Sequence, residues 1–398
     1  MMLSYYQTTK ILSMKKYLLL LCSFIALFVL PALGSHFLWG GPPPGFGLFP
    51  AEEVMKSAAF NQTYFNFACV VALGIVTFLM FPSLFGFKKP KIDAEKNRKE
   101  VGYPVWFVPS LIVLLASWFF MWGRFDIVQP IDHYTFVPLW WSFILVLDSF
   151  VYKRNNGKSL VASSPNTMKL LGIVSCFSWF VFEYQNFFVL ENWYYPNNKI
   201  FTNFGNIAWQ LVSYTTVLPA IFEWYFLLRT FKVMDERYRN GPVVKVPVMG
   251  QYILLIVGLA LLFLMGYFPE EMFWGLWVSL VPVLVPAMNI GNYWTPFTEI
   301  SKKGDWSYIN LIAIATFING FFWEFWNFGS EWFHDDMPTN PNYWKYSVPY
   351  LDKYHIFSEM PILGYCGYLL FGIVCWVLWL AVAYLMDFDA TIKIEDEY

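Results

Sequence analysis

Long stretches almost without charge constrain this 398-residue chain more than any other feature. Apolar runs occupy 17–33 and then about 64–86, 105–122, 136–152, 168–190, 206–231, 247–268, 272–290, 307–328 and 357–386. Each approaches or exceeds the roughly 20 residues that cross a bilayer as a helix. In hydrocarbon every backbone polar group needs an internal partner, which leaves helices or closed barrels. The alternating segments of about 10 residues that build a barrel are not present. Charged residues make up 14% of the chain, against about 25% in soluble domains, while 58% is hydrophobic and 22% aromatic. The fold expected is all-α: a polytopic integral membrane helical bundle of about ten transmembrane helices, or nine if the first is a cleaved signal.

The first run has two readings. Met14-Lys15-Lys16 before it, and Ala32 and Gly34 at its end, give it the shape of a secretory signal; left uncleaved, it is a spanning anchor. A loop rich in proline and glycine follows at 40–47, where regular structure is excluded. Lys and Arg concentrate at 88–99, 153–158, 229–245 and 302–303. These loops fall on one side if every run spans, and the positive-inside rule makes that side cytoplasmic. The alternate loops carry Glu52, Glu53, Asp132, Glu191, Glu331, Asp335 and Asp336. The C-terminus is then cytoplasmic, in a plasma or inner membrane. Outside these short loops no stretch is basic enough to bind nucleic acid. Cys22, Cys69, Cys176, Cys366 and Cys375 all lie within apolar runs without metal-ligand spacing, so no disulfide framework, metal or cofactor is indicated.

The chain also repeats itself. Leu139-Trp140-Trp141-Ser142 matches Leu276-Trp277-Val278-Ser279, and Phe182-Glu183-Tyr184-Gln185-Asn186-Phe187 matches Trp323-Glu324-Phe325-Trp326-Asn327-Phe328. Leu218-Pro219 matches Met360-Pro361, and Trp122-Gly123-Arg124-Phe125 resembles Met265-Gly266-Tyr267-Phe268. The order is kept and the offsets drift by only a few residues, as loop insertions would produce. Two tandem parallel four-helix repeats are expected, at 104–232 and 247–388. They follow an N-terminal segment (1–103) with two hydrophobic helices and a basic cytoplasmic loop, and precede an acidic cytoplasmic tail (389–398). An interface between parallel repeats is a natural ligand site.

A carboxylate inside an apolar run costs about 2.5–3.5 kcal/mol on insertion scales, so it tends to be paired or functional. Glu183 and Glu324 stand near the outer ends of matching helices, with Asn186 and Asn327 on the same face at i+3. They either form polar sites at the repeat interface or fix helix packing through Trp and Tyr donors. Asp148 and Glu223 lie in other runs, where pairing with a neighbouring helix is expected. The stretch 321–361 is the richest in Trp, Tyr and acids. Trp323, Trp326, His334 and Asp335 join Glu183, Asn186, Glu324 and Asn327 as candidate ligand-binding residues. His355 and Glu359, four apart at the head of the last helix, form a candidate proton-transfer pair. Aromatic walls with few acids suit a lipid-like or other apolar small molecule, with membrane lipids as the surrounding partners.

One short motif points to a family. Phe268-Pro269-Glu270-Glu271-Met272-Phe273-Trp274, between two apolar runs, resembles the Pro-x-Glu-Glu-x-x-Phe signature of the lycopene cyclase domain, with proline here directly preceding the first Glu. The resemblance covers 269–273 alone and implies an acidic pair, Glu270 and Glu271, that starts acid-initiated cyclisation of an isoprenoid. Three function classes follow: a membrane protein with an outward-side aromatic and acidic pocket that handles an apolar small molecule, an isoprenoid- or carotenoid-transforming cyclase-like enzyme, and a transporter or membrane-complex subunit. For the last, Pro219, Pro282 and Pro286 supply candidate helix breaks, but most ionisable residues gather at the outer edge, away from a translocation path.

Overall fold

A computed structural model describes residues 2–90, 101–123, 125, 127, 129–332 and 338–394, with side chains from residue 14 onward. Every one of the ten apolar stretches is helical. They form α1 (Met2–Trp39), α2 (Gln62–Met80), α3 (Phe107–Gly123), α4 (Phe136–Arg154), α6 (Pro165–Phe187), the pair α7 (Asn203–Tyr214) and α8 (Val217–Arg229), α10 (Val248–Tyr267), the pair α11 (Gly275–Val278) and α12 (Leu280–Ile290), α14 (Ser307–Gly329) and α15 (Gly367–Met386). Short helices α5 (Leu160–Ser163), α9 (Lys232–Arg237) and α13 (Pro296–Lys303) lie on the connections. Among the described residues, seven helical stretches are long and apolar enough to cross a membrane, and α3 and α11–α12 are shorter apolar helices. The tenth stretch, α6, has 23 residues but spends several positions on Lys169, Glu183, Gln185 and Asn186. The all-α expectation is therefore met, and seven of the ten expected crossings have both the length and the apolarity of a span among the described residues.

Local chemistry explains the breaks. Between α7 and α8 the hydroxyls of Thr215 and Thr216 turn back onto the carbonyls of Val212 and Ser213. Ser175 of α6 then bridges the gap, donating to Tyr214 O and accepting from Leu218 N. The interruption stands just before Pro219, which cannot donate the helix bond of an interior position. Its sequence match, Pro361, precedes the 3-10 turn Ile362–Cys366 that leads into α15. Both prolines thus stand at the start of a helical segment, Pro219 in the first turn of α8 and Pro361 immediately before the 3-10 turn.

Two helices attach to the bundle in opposite ways. α1 crosses α10 so closely that a β-carbon on Gly34 would overlap the carbonyl of Phe263, and one on Gly266 the carbonyl of Pro31. Small residues let membrane helices approach backbone to backbone in this manner. On its other side α1 accepts hydrogen bonds at Leu27 O and Phe28 O from Gln185 and Tyr184 of α6. By contrast α2 buries no residue. Asn61 caps its first turn, accepting from the N–H groups of Thr63 and Tyr64. That end is tied down by Asn61 N donating to Tyr350 O, and the other by Tyr238 Oη and Arg237 donating to Leu79 O and Met80 O. Between the tethers α2 meets the 3-10 turn Ile362–Cys366 and leaves a gap towards the rest of the bundle.

The basic loops meet at one end of the molecule. Arg154 Nε donates to Thr230 Oγ1 at 2.8 Å, Gly241 N to Gly304 O at 2.9 Å, and Arg237 reaches the last turn of α2. At the opposite end, a two-stranded antiparallel ribbon joins β1 (Trp193–Tyr194) to β2 (Lys345–Tyr346), with Trp193 opposite Tyr346 and Tyr194 opposite Lys345. Asn197 and Asn198 bind Glu331 and Glu52 there.

Candidate functional site

Glu183 is buried near the end of α6, and one of its oxygens collects four donors. Tyr195 Oη donates to Oε1 at 2.6 Å, Trp179 Nε1 at 2.8 Å, and Trp193 Nε1 and Tyr214 Oη each at 3.1 Å. Asn186, one turn on, donates to Trp193 O at 2.8 Å and so holds the segment 193–195 that carries two of those donors. Glu324 on α14 has the corresponding arrangement. Its Oε1 accepts from Tyr368 Oη at 2.6 Å and Tyr346 Oη at 2.7 Å, and Trp344 Nε1 donates to Tyr346 Oη at 2.8 Å. Asn327 grips the second strand through Trp344, donating to its O at 2.8 Å and accepting from its N at 3.0 Å. Burial, and then the negative charge of Glu183, hold the Tyr195 phenol well above its usual value; burial and Glu324 do the same for Tyr346. These phenols remain protonated donors across the physiological range.

The donor residues form the walls of a cavity of about 610 Å³ between α2 and the bundle. From α2 come Tyr64, Phe67, Ala68, Val71, Ala72 and Ile75, whose spacing places them on one helical face. The far wall takes Trp179, Trp193, Tyr195 and Tyr214 from one half of the chain, and Trp323, Trp344, Tyr346 and Tyr368 from the other. Glu183 and Glu324 do not line it; they sit behind the aromatic wall and draw its O–H and N–H groups away from the cavity. That geometry gives polar side chains an apolar face. No Asp, Glu, Lys, Arg or His lines the cavity among the described residues.

The remaining candidates are distributed unevenly. Trp323 lines the cavity, whereas Trp326 packs outside it against Trp140 and Phe143. Glu270 is half-buried and Glu271 exposed on the turn between α10 and α11, beside but not in the cavity wall formed by Phe273 and Trp274. His334 and Asp335 lie outside the described residues. His355 and Glu359 do not share a helix face, because α-helix begins only at Gly367 and residues 355–360 form a bend. His355 Nε2 meets Asp352 at 2.9 Å in an exposed position, while Glu359 accepts from Tyr343 Oη at 2.6 Å. The helical i, i+4 arrangement that the spacing predicts is therefore absent, and each residue has its own partner. Among the described residues no three His, Cys, Asp or Glu side chains converge as metal ligands would.

Two groups escape the sequence reading. The phenol and indole donors lie between 4 and 44 positions from their carboxylates, yet a shared Trp-x-Tyr at 193–195 and 344–346 marks them. A polar seam on the wall, Gln210, Ser213 and Asn342, carries no motif at all. Asp148 and Glu223, read separately from the sequence, have side chains in contact, and Asp148 also accepts from Trp106, Ser159 and Val161 N. Compared with family models, with curated proteins and with solved structures, the chain matches none.

Proposed function

We propose that this integral membrane protein takes up a lipid-like or other apolar small molecule in the gap between α2 and the bundle. The observation that carries the reading is the cavity itself: about 610 Å³, within the range of small-molecule sites, and walled by aromatic side chains whose polar edges are turned away. α2 has the length and apolarity of a spanning helix, so the gap beside it opens at the depth of lipid hydrocarbon. An apolar occupant then enters sideways from the bilayer, with no aqueous step.

The same proposal includes a multi-pass arrangement of ten crossings, with α6 spanning inside the bundle and its polar groups spent on internal bonds. It also places two parallel repeats around an axis along the membrane normal. Two features support this relation. Trp140 meets Trp323 and, at the matching positions, Trp277 meets Phe182, both with ring centroids 5.7 Å apart. The ribbon register pairs Trp193 with Tyr346 and Tyr194 with Lys345, the register a two-fold axis between the strands requires. The basic end is assigned to the cytoplasm by the positive-inside rule.

Filling the gap tests the function. Purified protein is expected to retain a co-purifying apolar molecule, detected by mass spectrometry, and to bind an apolar fluorescent probe. Ala72→Trp on the inner face of α2 is expected to abolish both while α2 keeps its tethers. Undiminished probe binding in a folded Ala72→Trp protein would sink the proposal.

A further inference from the structure

Besides the aromatic donors, the cavity wall carries two amide positions: Asn192, whose Nδ2 donates to Phe273 O at 3.4 Å, and a longer polar seam on α7. On α7, Gln210 is 2% exposed and lines the cavity. Asn342 Nδ2 donates to Gln210 Oε1 at 2.7 Å, and Ser213 Oγ lies 3.3 Å from Asn342 Oδ1. The other end of the Gln210 amide, Nε2, has no hydrogen-bond partner among the described residues. An apolar occupant would leave this edge of the amide without a partner, which is costly, and the hydrogen bond to Asn342 holds its orientation. Ser213 also donates to Trp209 O at 2.8 Å, so its hydroxyl proton has two competing acceptors. Reversing both amides would let Ser213 accept from Asn342 and would leave Gln210 Oε1, an acceptor, as the free atom. A hydroxyl group both donates and accepts, and satisfies Gln210 in either orientation.

Resting on the apolar-cavity reading, we infer that the occupant is a neutral lipid bearing a free hydroxyl, which bonds to Gln210 at the outer end of the cavity while its tail runs along α2. Charge supports this choice. A carboxylate or phosphate head would be desolvated without a cationic partner on the wall, and an ammonium without an anionic one. Glu183 and Glu324 stand behind that wall with their donors already engaged. Position supports the orientation: Gln210 lies towards the ribbon end, and the lining positions of α2 continue from Tyr64 down to Ile75, towards the basic end. A long-chain alcohol and a diacylglycerol share this head chemistry.

The test compares hexadecanol, dipalmitoylglycerol, hexadecane and palmitate as competitors of an apolar fluorescent probe, using the full chain in nanodiscs. One net hydrogen bond predicts that hexadecanol or dipalmitoylglycerol binds about 3–10-fold more tightly than hexadecane. The better of the two tells a single-tailed occupant from a double-tailed one. Gln210→Leu is expected to erase this preference. Equal binding of hexadecanol and hexadecane by the unmodified protein overturns the hydroxyl inference while the apolar cavity stands. Tightest binding of palmitate overturns it as well. If no competitor displaces the probe, the cavity reading falls with it. The unmodified protein alone decides these outcomes should Gln210→Leu fail to fold.

Discussion

Glu183 and Glu324 turn aromatic residues with polar edges into an apolar wall, and this role makes different substitutions behave differently. Glu324→Gln keeps an acceptor oxygen for Tyr346 and Tyr368, so it is expected to change the melting temperature little. Glu324→Leu removes the acceptor that Tyr346 and Tyr368 share, leaving at least one of the two phenols without one at about 1–3 kcal/mol, and is expected to melt markedly earlier in detergent. A similar loss in both variants would show that the charge, not the acceptor, matters. Glu191 behaves differently. It is buried under the Gly45 turn, with neither oxygen hydrogen-bonded, and burial pushes its carboxyl up to about 8. Its folded-state value lies above the unfolded one, so its contribution to stability is complete below about pH 4.5 and is lost as pH rises through about 8. Thermal melts should therefore show the protein losing stability across that window, and Glu191→Gln should flatten the loss. An unchanged pH profile in the variant would assign the dependence to other groups. The Glu–Asn pairs were legible in the sequence because both partners sit on one helical face. Apart from Trp179, one turn before Glu183 on α6, their donors were not, because they arrive from the ribbon segments and the following helices.

Among the elements, α1 and α2 present opposite relations to the bundle that their compositions do not reveal. Both are apolar runs of adequate length, and α1 reads equally as signal or anchor. In the fold α1 interlocks with α10 through Gly34, Pro31 and Gly266 and with α6 through two hydrogen bonds. Gly266→Leu would force these backbones apart, and overpacking of this kind costs about 1–3 kcal/mol. The expected result is a lower melting temperature, with Gly74→Leu on the open side of α2 as an innocuous control. Equal melting of both variants would mean that the crossing is not tight in the membrane. α2 keeps its inner face for the cavity, which is why a helix with no buried residue still presents Tyr64, Phe67 and Val71 at helical spacing.

For the whole molecule, charge and architecture point the same way. The Lys- and Arg-bearing connections converge at one end, and the ribbon and acidic loops at the other. With the basic end cytoplasmic, a cysteine replacing Lys245 or Lys303 should react with an impermeant maleimide only from the cytoplasmic side. One replacing Asn198 or Lys353 should react only from outside. The reverse pattern would invert the topology, and labelling of both sets from one side would remove the spanning arrangement.

The sequence by itself determined that the chain is helical and membrane-like, and where the helical stretches fall, because apolarity over some 20 residues is a local property that each segment carries alone. It also exposed the Glu–Asn faces, since i and i+3 meet within a single helix. Tertiary structure alone decided that α2 stands off to leave a cavity, that Gln210, Ser213 and Asn342 form a seam, and that Asp148 meets Glu223. It also kept His355 and Glu359 off the last helix, which begins after them, and gave each its own partner. These are contacts, or losses of contact, between segments far apart in the chain. Their partners are chosen by packing, and no spacing rule within one segment records that choice.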